Sequence, residues 1–271
     1  MESIWWAGAL RDGPVAASRA RSRWRLAVLL AVVVSAAGCS AMVGGTARPA
    51  SSPAPRSLSG RTIERVLLGD TALSRIVKQP LNIDPHFPPL FGGPEALQGD
   101  TSVWPVDCIG VAVMMQPSVY RFSSVSNVAL ATWRPDATSA AVTRVKEGVI
   151  SLPTPADAEA LFARFSEQWQ RCDGETVPFA GGAFRLRVRI SDVQVSASVV
   201  AATISMGLNL PIPDRPSIPA GRAIGVRGNC LIEVEVDFSH PSNSSLQGPG
   251  DISTSALDIA QVMRDKVNAL S

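Results

Sequence analysis

Residues 229–238 read NCLIEVEVDF, and the alternation in that stretch decides the class of fold. Cys230, Ile232, Val234, Val236 and Phe238 fall on one side of an extended chain, and Glu233, Glu235 and Asp237 fall on the other. A period of two is that of a strand with two unlike faces. The apolar side, Cys230 included, is read as facing a core. The acidic side is read as the solvated face of an antiparallel sheet. Glu233 and Glu235 share that outer face, where paired carboxylates could serve acid–base chemistry, but alternation by itself favours plain solvation.

Upstream the same period recurs. From Phe184 the chain places Leu186, Val188 and Ile190 on one face, then Val193, Val195 and Ala197 after a one-residue slip near Asp192 that signals a turn or a bulge. The arginines between them, Arg185, Arg187 and Arg189, read as another solvated face. Shorter apolar runs at 110–115, 127–133 and 145–152, bounded by Pro, Ser, Asn or Gly, predict further strands of a meander.

Three segments carry a helical period instead. TPADAEALFARFSEQWQRC (154–172) has Thr154 as N-cap and Pro155 at the first helical position. Ala158, Leu161, Phe162, Phe165 and Trp169 follow along one face, a stripe read as core. SALDIAQVMRDKVNAL (255–270) carries Ala256, Ile259, Ala260, Met263, Val267 and Leu270 on its inner side. TIERVLLGDTALSRIVK (62–78) predicts one or two short helices broken near Gly69. The proline-rich stretches 80–94 and 205–221 are read as surface loops without regular structure. Strands and helices in this segregated order predict a single α+β domain, a twisted antiparallel sheet with packed helices.

The N-terminus has another character. RARSRWRLAVLLAVVVSAAGC (19–39) runs from a positive patch through an apolar stretch to small residues, the order of a signal peptide. The 13 residues 26–38 fall short of the roughly 20 needed to span a membrane. Ala36, Ala37, Gly38 and Cys39 resemble a lipobox, although Ala36 stands where that pattern prefers Leu. The resemblance implies diacylglycerol on Cys39, and two or more acyl chains anchor durably. The expected organisation is a signal peptide at 1–38, a flexible Ser-, Ala-, Pro- and Gly-rich linker at 39–60, and an extracytoplasmic domain at 61–271. The expected location is the outer face of the cell membrane.

The formal charge of +2 misleads, because Arg11, Arg19, Arg21, Arg23 and Arg25 all precede Cys39. From Cys39 onward 20 basic residues face 21 acidic ones. A chain so balanced lacks the field that tracks a phosphate backbone, and nucleic acid is set aside.

With Cys39 assigned to lipid, Cys108, Cys172 and Cys230 remain. Positions at the edges of regular elements favour a disulfide between Cys108 and Cys172, with Cys230 left within a strand; export permits the oxidation. The segment WPVDC, the helix PADAEALFARFSEQWQRC, the strand RAIGVRGNCLIEVEVDF and the closing helix together resemble the PknH-like extracellular sensor domains of mycobacteria. Many actinobacterial lipoproteins carry such a domain alone. The resemblance implies the same Cys108–Cys172 pair, and a V-shaped cleft for an unidentified ligand. It also implies a second disulfide, which this chain lacks, having Gly221 before Arg222 and no cysteine after Val236.

No catalytic constellation is legible. The two histidines, His86 and His240, lie away from any G-x-S-x-G elbow, and no metal or phosphate-loop spacing occurs. No cofactor and no metal are expected. The favoured reading is a non-catalytic ligand-binding or sensor module, partnered by the membrane through Cys39 and by a small molecule, lipid, cell-wall fragment or partner protein in an apolar pocket rimmed by the two proline-rich loops. Trp104, Tyr120, Trp133 and His86 are its candidate contact residues. The alternative is a cell-envelope hydrolase using His240 with Asp237.

Overall fold

β9 (Cys230–Phe238), the strand of the alternating stretch, lies at the centre of one antiparallel sheet. The other strands are β1 (Leu81–Ile83), β2 (Leu90–Gly92), β3 (Asn127–Pro135), β4 (Val142–Ser151), β5 (Thr176–Gly181), β6 (Phe184–Val195), β7 (Val199–Leu208) and β8 (Ile218–Arg227). The computed structural model describes residues 56–97, 107–137, 140–181, 184–209, 217–239 and 250–271. Strands pair in the order β1-β3-β4-β9-β8-β7-β6-β5, and β2 also pairs with β3. β8 and β9 form a two-residue hairpin that pairs Arg227 with Cys230 across Gly228 and Asn229. Gly228 takes φ 53°, the left-handed conformation such a turn favours.

Helices cover the sheet from both sides. On one face lies α2 (Pro155–Arg171), with helical turns at Ile109–Ala112 and Pro117–Tyr120. On the other lie α1 (Asp70–Val77), α3 (Ser255–Leu270) and a 3-10 turn at Gly60–Val66. Thr154 caps α2 as its sequence predicts, its Oγ1 accepting the Asp157 N–H at 3.1 Å. Ala158, Leu161, Phe162, Phe165 and Trp169 are all buried in the first core. In α3, Ala256, Ile259, Ala260, Met263 and Val267 are buried in the second.

Several sequence expectations give way. The 110–115 run is a helical turn rather than a strand, because the Gly110 and Val111 carbonyls accept from the Arg222 guanidinium, not from a neighbouring strand. The 80–94 stretch is not structureless, since β1 and β2 both pair with β3. Its five prolines fall at positions 80, 85, 88, 89 and 94, outside the residues that need ladder N–H groups. Likewise β7 runs on to Leu208 and β8 starts at Ile218, so both intrude on the predicted loop 205–221. Near Asp192 (φ 56°) the β6–β7 register shifts, a bulge.

Docking begins before residue 61. The Leu58 N–H donates to Asn229 Oδ1 at 2.7 Å, while Asn229 Nδ2 donates to the Leu58 and Leu152 carbonyls. Leu58 is buried. Cys108 and Cys172 form a disulfide with Cα atoms 5.6 Å apart, joining the end of α2 to the turn that follows Cys108. Cys230 is a free, buried thiol on the core side of β9, pushed up to about 12 by burial.

Candidate functional site

The acidic side of β9 is not solvated: Glu233, Glu235 and Asp237 are all buried beneath the first helix layer. Alternation could not reveal this, because a charged face under helices and one under water share the same period. What permits the burial is register. Glu235 lies directly between Arg222 of β8 and Lys146 of β4. Lys146 Nζ donates to Glu235 Oε1 at 2.7 Å, and Arg144 Nη2 to Asp237 Oδ2 at 2.6 Å. Burial pushes Glu235 up, but Lys146 and Arg222 outweigh it and hold the group below the usual carboxylate range. Asp237 is raised, by burial and by Glu235, despite Arg144.

Glu233 closes the inner end of this row. It accepts from the Tyr120 hydroxyl, from the Met115 N–H at 3.2 Å and from Arg222 Nη2 at 3.0 Å. Burial raises the Tyr120 hydroxyl well above its ordinary range, and the neighbouring Glu233 charge adds to this. Arg222 is fully buried, with its guanidinium 5.7 Å from the Trp169 ring. Met115 holds φ 56°, a left-handed conformation uncommon for a bulky residue, and presents its N–H to Glu233. Gly148 makes room for that turn: a Cβ there would stand 2.6 Å from Met115 Sδ and 2.8 Å from Met114 Cε. The row therefore ties the disulfide-bearing segment to the sheet. Its outer end meets solvent at Lys146 and Arg144, whose side chains are 26% and 36% exposed.

Of the sequence-nominated contact residues, Tyr120, Trp133 and His86 do not converge. Tyr120 is buried under α2, its ring 5.4 Å from Phe165. Trp133 is buried on the opposite side of the sheet and donates from Nε1 to Glu147 at 3.0 Å. His86 projects from the β1–β2 connection with its side chain 75% exposed, 3.1 Å from Asp84. Both aromatic rings are buried, and each donates a hydrogen bond to a glutamate. Trp104, Cys39 and His240 lie outside the described residues. The proposed partner of His240, Asp237, is engaged by Arg144.

Clefts open elsewhere among the described residues. One of about 510 Å³ lies where α2, the β6–β7 and β8–β9 turns and α3 meet. Phe162, Ala163, Val195 and Val226 give it apolar walls, Ser166, Ser196 and Ser198 hydroxyls, and Glu159, Arg227 and Arg264 charge. Arg264 lies along Gly225, where a Cβ would come within 2.9 Å of its Cδ, and its Nε donates to the Val226 carbonyl at 3.0 Å. Burial and the nearby Arg227 lower the Arg264 pKa, so this corner favours an added negative charge. A second cleft, about 320 Å³, sits at the β3–β4 hairpin around Arg134, Asp136 and Thr143. The third, about 350 Å³, lies on β5–β7. All three carry charged or hydroxyl groups, whereas an apolar pocket was expected. Among the described residues no group of three or more His, Cys, Asp or Glu is placed to hold a metal ion, and no helix is long and apolar enough to cross a membrane.

An antiparallel sheet layered by helices on both faces and stapled between α2 and its neighbouring turn defines a disulfide-bearing α+β domain. Residues 58–266 match the model of the PknH-like extracellular domain, and the chain belongs to that family. Its structure is similar to the crystal structure of the extracellular domain of PknH from Mycobacterium tuberculosis. The TM-score is 0.64 at 18% identity, over 79% of this chain and 99% of that one. An uncharacterized protein from Mycobacterium smegmatis gives a TM-score of 0.38 at 13% identity, over 77% and 96%. No curated protein matches the chain.

Sequence reasoning missed Arg222, Glu147, Arg227 and Arg264. The one signal available was pairing: once β8 and β9 are read as a hairpin about Gly228 and Asn229, Arg222 falls opposite Glu235.

Proposed function

We propose that this chain is a lipoprotein held at the outer face of the cell membrane through diacylglycerol on Cys39. Its domain is then a non-catalytic sensor that binds a small amphiphilic ligand. The observation that supports this most is the cleft of about 510 Å³, a volume suited to a small molecule, with apolar walls on one side and Arg227 and Arg264 on the other. Such a lining suits a lipid or cell-wall fragment with an acidic group.

Ligand that binds only the folded state raises the midpoint of thermal unfolding by mass action. An envelope lipid extract added to the full chain in nonionic micelles is expected to raise Tm by several degrees. Ala163→Trp, which fills the cleft, is expected to abolish the rise. An equal rise in both proteins, or none in either, defeats the assignment. The anchor has its own test, since Cys39→Ala is expected to leave the membrane fraction.

A further inference from the structure

We infer that the open face of β5–β7 carries a binding site for a phosphoryl group, independent of the cleft under α2. On this side of the sheet α3 rests on β7, β8 and β9, and the side chains of Arg187 and Arg189 on β6 stand exposed. Their neighbours Val188 and Ile190 point the other way into the core beneath α2. The third cleft, about 350 Å³, gathers Thr176, Arg187, Arg189, Ser205, Gly207 and Ser217 there.

Register builds the floor. Thr176, Arg189 and Ser205 stand in one row across β5, β6 and β7, and Gly207 lies opposite Arg187. Gly207 places no side chain beside Arg187. Ser205 Oγ donates to Ser217 Oγ at 2.7 Å, so the Ser217 hydroxyl hydrogen remains to donate outward.

Charge separates this site from ordinary surface arginines. Among the described residues no Asp or Glu lines the cleft, and neither arginine has an ionic partner. By contrast, Arg144, Lys146 and Arg222 of the buried row each face a carboxylate. Charges that keep a sheet from pairing with another belong on its edge strands, yet β6 lies inside, between β5 and β7. Two guanidinium forks with the Thr176 and Ser217 hydroxyls offer more donors than the two oxygens of a carboxylate take up. A phosphoryl group, with three or more acceptor oxygens, matches them.

The phosphoryl group belongs either to a soluble phosphorylated compound or to a phospholipid headgroup. Calorimetric titration of the full chain in nonionic micelles, at ionic strength fixed with chloride, separates the two. One arm uses inorganic phosphate and the other glycerophosphoglycerol, a headgroup without acyl chains. Saturable binding of at least one probe is expected, weakened about tenfold or more in R187Q/R189Q. The Tm of that variant should be unchanged, since both side chains are exposed. Ser217→Ala, with both arginines kept, is expected to weaken binding about threefold. Tighter binding of phosphate assigns the soluble compound, and tighter binding of glycerophosphoglycerol assigns the headgroup. Absence of saturable heat with either probe, or undiminished affinity in R187Q/R189Q, overturns the inference.

Discussion

Glu147 is fully buried on the α3 side of the sheet, where it accepts from the Leu68 N–H at 2.9 Å and from Trp133 Nε1 at 3.0 Å. Burial outweighs both bonds and raises the group from 4.5 to about 7. The nearest cation, Lys266, directs its ammonium to the Leu67 carbonyl. The folded state therefore holds this proton more tightly than the unfolded chain. The stability contributed is fully present below about pH 4.5, falls as pH rises from there through 7, and is level above. A displacement of this size corresponds to about 3 kcal/mol. Denaturant titrations between pH 4 and 8 should show that loss in the native protein and a flatter profile in Glu147→Gln. Across the sheet, Arg222→Met leaves Glu233 and Glu235 buried without their shared cation, with an expected cost of about 3–5 kcal/mol in urea unfolding. Adding Glu233→Gln should recover part of it. Tyr120→Phe removes one of the donors to Glu233 and should cost about 1–3 kcal/mol.

At the scale of elements, the disulfide between Cys108 and Cys172 encloses a separation of 64 residues that holds β3, β4 and α2. Replacing both cysteines with serine should lower unfolding stability by about 4 kcal/mol in the chain-entropy account. The helices were the most legible elements, because Thr154, Pro155 and the Ala158-to-Trp169 stripe state a start, a period and a buried face in one segment. β6 was nearly as clear, bulge included. β9 was legible as a strand but misread as to its surroundings. Nothing in EVEVD distinguishes a carboxylate row under water from one under a helix layer, since only the partner strands bring Arg222, Lys146 and Arg144 alongside. β1 and β2 escaped notice for the converse reason. Three residues between prolines show no period, and tertiary pairing with β3 alone makes them strands. Gly221 leaves no room for a side chain. A Cβ at that position would stand 2.6 Å from the Ile252 carbonyl oxygen, so a cysteine there would push the chain before α3 away from β8.

For the molecule as a whole, a sheet buried on both faces leaves ligand access to its ends and to its uncovered strands. The 510 Å³ cleft lies at one such end, where both helix layers and two hairpin turns converge, so a bound ligand would touch α2 and α3 together. Neither Tyr120 nor Trp133 lines it. Its residues come from turns and helix flanks whose sequence carries no distinguishing pattern, which is why the site was not legible beforehand. We propose that this domain, tethered through Cys39, holds a small amphiphile in that cleft. Native mass spectrometry of the full chain, exported and released in mild detergent, addresses it directly. A mass above polypeptide plus anchor is expected in the wild type and is expected to be missing from Ala163→Trp. A wild type carrying no added mass, or an Ala163→Trp variant carrying the same one, would contradict it.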